Sequence, residues 1–204
     1  MKFIGRVEEL KKLNKIINSK DFAATLIFGR RRVGKSELVK YVLKENEELK
    51  IYYECKEVSE KSNVQGLSDI LSEELNLPKL KFEDIESILK YIFELSINKK
   101  MILVLDEYSY LKKTINGIDS ILQVLIDKYK DTSKLSLIIL GSYVDIMKSL
   151  LLHSNPLYGR IDLTIELKPM DYYDSSLFYP NFSSEDTVYI KKTGIITTSF
   201  KISS

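Results

Sequence analysis

The pattern G-x-x-x-x-G-K-S at residues 29–36 is the stretch of this sequence with the most specific chemical meaning. Gly29 and Gly34 allow backbone angles and a close approach to a ligand that a Cβ atom would forbid. The amide groups of such a loop and the positive end of the following helix point at the same anion. Lys35 can then reach the β- and γ-phosphates of a nucleotide, and the Ser36 hydroxyl can hold Mg²⁺. The pattern therefore predicts a phosphate-binding (Walker A) loop.

The residues on both sides of this loop agree with that prediction. Residues 25–28 (TLIF) are β-prone and residues 37–44 favour a helix, so the loop joins a strand to a helix. A chance match to the pattern in 204 residues is roughly a one-in-a-hundred event, because glycine makes up about 7% of an average protein. The predicted nucleotide contacts are Gly29, Arg30, Arg31, Arg32, Val33, Gly34, Lys35, Ser36 and Glu37. The alternative is a tight turn with a basic surface, and the sequence leaves open whether the three arginines contact phosphates, neighbouring chains or only solvent.

A second chemical signal is the acidic pair Asp106 and Glu107, which follows the apolar run at residues 101–105. Acidic residues at the carboxyl end of a central strand lie at the edge where open α/β sheets bind ligands. In this Walker B arrangement Asp106 is predicted to hold Mg²⁺, usually through water, opposite Ser36. Glu107 is predicted to be the base that polarises a water for in-line attack on the γ-phosphate. Such pairs also begin ordinary loops, and they occur in switch proteins with little turnover.

Two weaker signals come later in the chain. Ser142 follows the apolar run at residues 135–140, and its hydroxyl would lie between the phosphate loop and Asp106 if those strands are neighbours. A polar side chain there can sense the γ-phosphate, whereas the alternative is a plain Gly-Ser turn. Arg160 precedes the last predicted strand and could bring positive charge to the transition state, from its own chain or from a neighbouring subunit. With Lys35 and Glu107 it completes the predicted catalytic set, and a solvated turn arginine is the alternative.

Composition excludes several functional classes. The net charge is only +2, so the field of the whole chain gives no support for nucleic-acid binding, which would need a local patch. No apolar run approaches the roughly 18 residues that cross a bilayer, and the N-terminus turns charged too early for a secretory signal. One cysteine and one histidine leave no internal disulfide and no His/Cys metal cluster. We therefore expect a cytoplasmic protein without a membrane partner.

Predicted helices and strands alternate along the chain, and these elements must position the residues described above. Apolar spacing predicts helices at residues 7–17, 36–46, 64–75, 82–95, 115–129 and 145–152. Strand-forming runs are found at residues 22–28, 50–55, 101–105, 135–140 and 162–167. Strands that alternate with helices specify a parallel α/β sheet that is covered on both faces.

Five stretches together carry a family resemblance: FIGRVEEL, GRRRVGKSELV, ILVLDEYSYL, LIILGSYVDIMKSLL and PLYGRIDLTIELKPM. In this order they resemble the archaeal-type ATPases, a branch of the signal-transducing (STAND) NTPases that is related to AAA+ proteins. The resemblance covers roughly residues 3–182. It implies a three-layer P-loop NTPase fold of the ASCE (AAA-like) type, with a five-stranded parallel sheet in the order 5-1-4-3-2.

The resemblance also implies roles for particular residues. Gly5 and Arg6 would lie near the nucleotide base, Ser142 would occupy the sensor-1 position, and Arg160 would match the Gly-Arg pair before the fifth strand. In AAA-related proteins that last region often faces a neighbour's nucleotide, so a homo-oligomer is one expectation. ATP rather than GTP follows from the resemblance. Consistently, residues 98–101 (NKKM) depart from the guanine signature Asn-Lys-x-Asp at their last position.

The carboxyl end departs from the family pattern. Family members continue through a helical lid and usually a further C-terminal domain, whereas the stretch after about residue 189 is short, Ser/Thr-rich and without a helical face. We therefore predict an ATPase core at residues 1–170, followed at residues 171–204 by a remnant of the lid and an irregular tail. This reading treats the chain as truncated after the core, and it leaves the effector or partner protein unknown.

Three functions from different classes fit this sequence. The first is a Mg²⁺-dependent ATPase core that couples its nucleotide state to a partner or effector, which Glu107 beside Asp106 favours. The second is a nucleotide-binding switch or interaction module with negligible turnover, which the shortened carboxyl end favours. The third is a small-molecule kinase, which is disfavoured because the sequence has no acceptor-binding insert with an arginine-rich lid.

Overall fold

Five apolar runs form one parallel β-sheet in the structure, a computed structural model that describes residues 5–169. The strands are β1 (Ala23–Phe28), β2 (Leu49–Glu54), β3 (Met101–Asp106), β4 (Leu135–Gly141) and β5 (Leu163–Glu166). Their order is β2-β3-β4-β1-β5, and every neighbouring pair is parallel. The predicted order 5-1-4-3-2 is the same order counted from the other edge, and it is confirmed. The lid remnant and tail predicted at residues 171–204 lie outside the described residues.

Helices cover both faces of this sheet. They are α1 (Val7–Ile17), α2 (Lys35–Lys44), α3 (Glu60–Glu74), α4 (Ile85–Asn98), α5 (Tyr108–Thr114), α6 (Ile118–Tyr129) and α7 (Val144–Ser149). Helices α1 and α2 pack on one face, and α3, α4, α5 and α6 pack on the other. The central strands β1, β3 and β4 are therefore buried along their whole length. Each Leu or Ile buried in this way stabilises the fold by about 1.5–3 kcal/mol.

One predicted helix is wrong in its extent. The helix predicted at residues 115–129 begins three residues later, as α6 at Ile118, and a turn separates it from the short helix α5, which precedes the predicted range. Ile115 is extended, and Gly117 lies in the left-handed region with φ 76°, so the backbone changes direction between the two helices. Helix α5 was not predicted from the sequence, although it follows directly after Glu107 and brings further residues to the same edge of the sheet.

Local capping explains two other boundaries that differ from the predictions. Helix α3 begins at Glu60, four residues before the predicted start, because the Ser59 side chain accepts a hydrogen bond from the backbone N–H of Ser62. Helix α4 begins three residues after its predicted start, where Asp84 and Ser87 form a reciprocal capping box. Side-chain caps of this kind stabilise a helix start by about 1 kcal/mol each.

The strand order brings three loops to one edge of the sheet. Strand β4 lies between β1 and β3, and the register pairs Phe28 with Gly141 and Leu105 with Ile139. Because the strands are parallel, the segments that follow them all leave from the carboxyl edge. The phosphate loop, the acidic pair and Ser142 are therefore neighbours. Within residues 5–169, none of the helices has the length and apolarity needed to span a bilayer.

Candidate functional site

The loop at residues 29–34 turns tightly between β1 and α2. A Cβ atom at Gly29 would lie 2.1 Å from the carbonyl oxygen of Leu167, so the loop can pass the end of β5 only without a side chain there. Gly34 has φ 89° and precedes α2 without a side-chain cap. The first amide groups of α2 are thus left for another acceptor, and together with the helix dipole they form a site that favours an anion.

Lys35, the first residue of α2, is held over this loop. It is only 5% exposed, and its ammonium donates to the carbonyl oxygens of Gly29 and Arg30, both at 3.0 Å, and to Ser142 Oγ at 2.9 Å. Burial lowers the pKa of Lys35, although the nearby carboxylates of Glu107 and Asp106 oppose that shift. None of its hydrogen-bonding partners in the described residues is charged, and a buried cation in this situation favours an anionic ligand.

The two predicted metal ligands are in direct contact. Ser36 Oγ donates to Asp106 Oδ2 at 2.7 Å, and the backbone N–H of Glu107 donates to Asp106 Oδ1 at 2.9 Å. Asp106 is only 4% exposed. A hydroxyl and a carboxylate side by side fit Mg²⁺, which prefers oxygen ligands and takes its remaining positions from water and phosphate oxygens. No group of three or more His, Cys, Asp or Glu residues within the described part of the chain is arranged to hold a metal.

A tyrosine that the sequence analysis missed completes the surroundings of Asp106. Tyr52 in β2 donates its hydroxyl to Asp106 Oδ2, the same oxygen that Ser36 contacts. Burial and the hydrogen bond to Asp106 raise the pKa of Tyr52 well above its ordinary value, so this phenol is a neutral donor near pH 7. The sequence carried no signal for this role, because a tyrosine in a strand next to the core is ordinarily a packing residue.

Glu107 is aimed by an unusual backbone conformation. It lies in the left-handed region at φ 53° and ψ 42°, which costs a non-glycine residue of order 1–3 kcal/mol. Its carboxylate accepts from the backbone N–H of Ser142 at 3.1 Å and from Ser142 Oγ at 2.5 Å. The Ser142 hydroxyl therefore lies between Lys35 and Glu107, accepting a hydrogen bond from one and donating to the other. A ligand that contacts Ser142 or Lys35 would also affect Glu107.

The variable positions of the loop have different surroundings. The Arg31 guanidinium donates to Tyr110 Oη at 2.9 Å and to Tyr143 Oη at 3.4 Å, and it lies 5.5 Å from the centre of the Tyr143 ring. Tyr110 is in α5, and Tyr143 directly follows Ser142, so this contact joins the loops that follow β1, β3 and β4. Of the other variable positions, Arg30 and Arg32 are exposed and Val33 is half-buried, and Glu37, which follows the motif in α2, is exposed.

Arg6 supports the loop from the side of β5. Gly5 and Arg6 both have positive φ angles, 73° and 58°, and Arg6 is only 7% exposed. The Arg6 guanidinium donates to the carbonyl oxygens of Val33 and Lys168 and pairs with Glu9. The structure thus places Arg6 beside the loop, as a link between α1, the loop and the end of β5. The contact with the nucleotide base that the resemblance implies stays a prediction.

Arg160 is not brought to this site. It precedes β5 and therefore lies at the amino edge of the sheet, opposite the phosphate loop, which follows the six residues of β1. At about 3.3 Å per residue, those six residues separate the two edges by roughly 20 Å. The Arg160 guanidinium makes a two-pronged ion pair with Asp127, at 2.8 and 2.6 Å. This geometry contradicts a role for Arg160 toward the nucleotide of its own chain, and the role toward a neighbouring subunit stays a prediction.

We expect Arg160→Ala to leave the nucleotide affinity of a single chain unchanged, because the contacts it removes lie at the opposite edge. The ion pair lowers the pKa of Asp127. The contribution of this ion pair to stability is small because both groups are partly exposed. It is present at pH values above the ordinary Asp pKa and is lost as the pH falls through the lowered pKa. Thermal unfolding at neutral and acidic pH would detect this loss, and Asp127→Asn would reproduce it.

Recovery of activity on mixing Arg160→Ala with Lys35→Ala would instead show that Arg160 completes a neighbour's site.

The fold and the site together define a P-loop NTPase domain: a parallel sheet in this order, a phosphate loop after β1 and an acidic pair after β3. A family model described as an ATPase domain predominantly from Archaea matches residues 3–193. The chain therefore belongs to this family of archaeal-type ATPases. The uncharacterized protein MJECL04 of Methanocaldococcus jannaschii is 30% identical over 189 residues, which are 92% of this chain and 40% of that protein.

Solved structures with the same fold extend this comparison. The Walker-type ATPase PABY2304 of Pyrococcus abyssi superposes with a TM-score of 0.67 at 20% identity, over 93% of this chain and 63% of that one. The ORC2 protein of Aeropyrum pernix, in its ADPNP-ADP complexes, superposes with a TM-score of 0.67 at 16% identity, over 87% of this chain and 51% of that one. Cdc6p from Pyrobaculum aerophilum superposes with a TM-score of 0.63 at 17% identity, over 87% of this chain and 49% of that one. At these identities the likeness shows the fold, and the chain spans about half to two thirds of each structure's length.

Proposed function

We propose that this chain binds ATP together with Mg²⁺ at the carboxyl edge of the sheet and hydrolyses it to ADP and phosphate. One observation carries the proposal: five side chains from three separate segments of the chain form one connected set of contacts, namely Lys35, Ser36, Asp106, Glu107 and Ser142. A structural turn would not require this combination of a buried ammonium, a hydroxyl–carboxylate pair and a carboxylate in a strained conformation. Membership of the archaeal-type ATPase family supports the choice of ATP.

In this mechanism the loop amides and Lys35 bind the β- and γ-phosphates, and Ser36 and Asp106 would hold Mg²⁺. When bound, the cation would neutralise charge that develops on the phosphate oxygens. Glu107 accepts a proton from the attacking water, whose oxygen forms the new bond to the γ-phosphorus. The bond from that phosphorus to the bridging oxygen breaks, and ADP leaves with the electron pair. The Ser142 hydroxyl would contact the γ-phosphate.

Hydrolysis by this route requires that Glu107 and Lys35 change partners. Both are bound to Ser142, and Lys35 also donates to two carbonyl groups of the loop. The γ-phosphate is a stronger acceptor for Lys35 than these neutral oxygens, because attraction between opposite charges is added to the hydrogen bond. Binding of ATP would therefore draw Lys35 away from Ser142 and loosen the hold of Ser142 on Glu107.

The contact between Glu107 and Ser142 also favours a second candidate, a nucleotide switch with negligible turnover. If Glu107 stays bound to Ser142 after ATP has bound, no base is available to the water. The chain would then signal its nucleotide state to a partner without consuming ATP. In either case we propose that it acts in the cytoplasm as a STAND-like module that is coupled to an effector and able to assemble with other copies.

Calorimetry with the purified chain tests the binding half of this proposal. We expect ATP to bind more tightly in the presence of Mg²⁺ than in EDTA, because Ser36 and Asp106 can then hold the cation beside the phosphates. ATP is also expected to bind more tightly than GTP, in keeping with the family. Absence of heat with either nucleotide, under conditions in which circular dichroism shows the folded chain, would contradict the proposal.

A further inference from the structure

Tyr52 lies near this edge of the sheet in a position that none of the predicted roles explains. Its ring packs on the α1–α2 face of the sheet, and its hydroxyl extends along that face to Asp106. In the register of the sheet Tyr52 lies opposite Val104, two residues before Asp106. The hydroxyl thus reaches diagonally to the next strand, over a distance that long side chains can span.

The contacts of Asp106 show what this hydroxyl does. Oδ1 accepts from the backbone N–H of Glu107, whereas Oδ2 accepts from both Ser36 and Tyr52. Of these donors, Ser36 is itself a predicted metal ligand, and its oxygen would be shared with the cation. Among the donors to Asp106 in the described residues, Tyr52 is therefore the side chain that would orient this carboxylate without itself contacting the cation.

A second contact connects Tyr52 with the phosphate-loop helix. The ammonium of Lys40, one turn beyond Ser36 in α2, lies 5.2 Å from the centre of the Tyr52 ring, within the range of a cation–π interaction. Tyr52 thus touches α2 through its ring and Asp106 through its hydroxyl. The predicted metal ligands come from these same two elements, so Tyr52 is placed to hold them at a constant separation.

We propose that Tyr52 is a positioning residue for the metal site, which fixes the Asp106 carboxylate so that it faces the cation together with Ser36. This inference rests on the proposed function, since it concerns how Mg²⁺ is held beside ATP. Residues that orient a metal ligand through a hydrogen bond affect metal affinity strongly, and their loss typically lowers it 10–100-fold. Tyr52 acts through Asp106 and does not contact the reacting atoms.

The neighbouring residue provides a matched control. Tyr53 belongs to the same strand but faces the opposite side of the sheet, where its hydroxyl donates to Asn63 at 2.8 Å. Burial raises the pKa of Tyr53 to about 12, so it too is a neutral phenol near pH 7. Tyr52→Phe and Tyr53→Phe each remove one hydroxyl from β2, and only the former removes a contact to Asp106.

The test compares binding of a fluorescent, non-hydrolysable ATP analogue in Mg²⁺ and in EDTA. The ratio of the two affinities measures the contribution of the metal. We expect Tyr52→Phe to lower this ratio by about 10-fold or more while the affinity in EDTA stays at the parental value. Tyr53→Phe is expected to keep the parental ratio, although both variants can lose thermal stability. In an Asp106→Asn background, Tyr52→Phe should have no further effect on the ratio.

The outcomes separate this inference from the proposed function. A parental ratio in Tyr52→Phe would overturn the inference while leaving ATP binding intact. An equal loss in Tyr53→Phe would also overturn it, because the effect would then be a general consequence of altering β2. If the parent chain binds the analogue in neither buffer, the proposed function itself is wrong. If it binds equally in both buffers, Mg²⁺ is not held at Asp106 and the inference fails.

Discussion

Glu107→Gln is expected to retain Mg²⁺-ATP while losing hydrolysis by a factor on the order of 10² or more, the usual contribution of a general base. Glutamine has nearly the same shape and can still contact Ser142, but its amide cannot accept a proton from water. Single-turnover measurement of phosphate release would give the rate, and calorimetry would give the affinity. The nucleotide would therefore remain trapped as ATP in this variant.

Glu54→Gln is a suitable control for this experiment. Glu54 ends β2 opposite Asp106 in the register of the sheet, yet it is exposed and has no contact with Ser142. This variant removes a carboxylate from the same edge without touching the predicted base. Hydrolysis at the parental rate by Glu107→Gln would contradict the assignment, and an equal loss in Glu54→Gln would point to a general effect of charge.

Lys35→Ala is expected to weaken ATP binding by a factor on the order of 10². The ammonium would make hydrogen bonds to charged phosphate oxygens, and each such bond contributes about 1.5–3 kcal/mol. The fold should survive, because the contacts of Lys35 in the structure are with two loop carbonyls and a serine hydroxyl. Calorimetric titration of ATP in the presence of Mg²⁺ measures the affinity.

Lys100→Ala controls for the removal of a partly buried lysine. Burial lowers the pKa of Lys100, as it does that of Lys35, and its ammonium also donates to a serine, Ser136 Oγ, at 2.8 Å. Lys100 directly precedes β3 and so lies at the amino edge of the sheet. The Lys100→Ala variant should lose stability without losing ATP affinity. Equal ATP affinity in Lys35→Ala and the parent would refute the phosphate-loop assignment.

Apolar runs and the family resemblance together predicted the sheet and the proximity of the segments that follow β1, β3 and β4. Apolar runs identified all five strands, and the family resemblance supplied their order, which the structure confirms. Once β4 lies between β1 and β3, Ser142 necessarily comes close to Lys35 and Glu107. The sequence could not show that its hydroxyl contacts both of them, because this depends on the left-handed backbone at Glu107.

Other features depended on side-chain directions that a linear pattern does not contain. Tyr52, Tyr110 and Tyr143 follow no spacing rule, and tyrosines in a strand or beside a helix usually indicate packing. The position of Arg160 was missed for a different reason, because its predicted role rested on the Gly-Arg pair and took no account of the sheet topology. In a parallel sheet, a residue that precedes a strand lies at the amino edge, so Arg160 had to be far from the loop that follows β1.

The most direct test of the central claim is a single-turnover reaction of the purified chain with γ-labelled ATP and Mg²⁺. We predict that the label appears as free phosphate in the parent chain and stays in ATP when Glu107 is replaced by glutamine. Label that remains in bound ATP in the parent as well would favour the switch with negligible turnover, and label transferred to an added acceptor would indicate a kinase. If the chain neither retains nor cleaves ATP, the account of this site as a nucleotide site is contradicted.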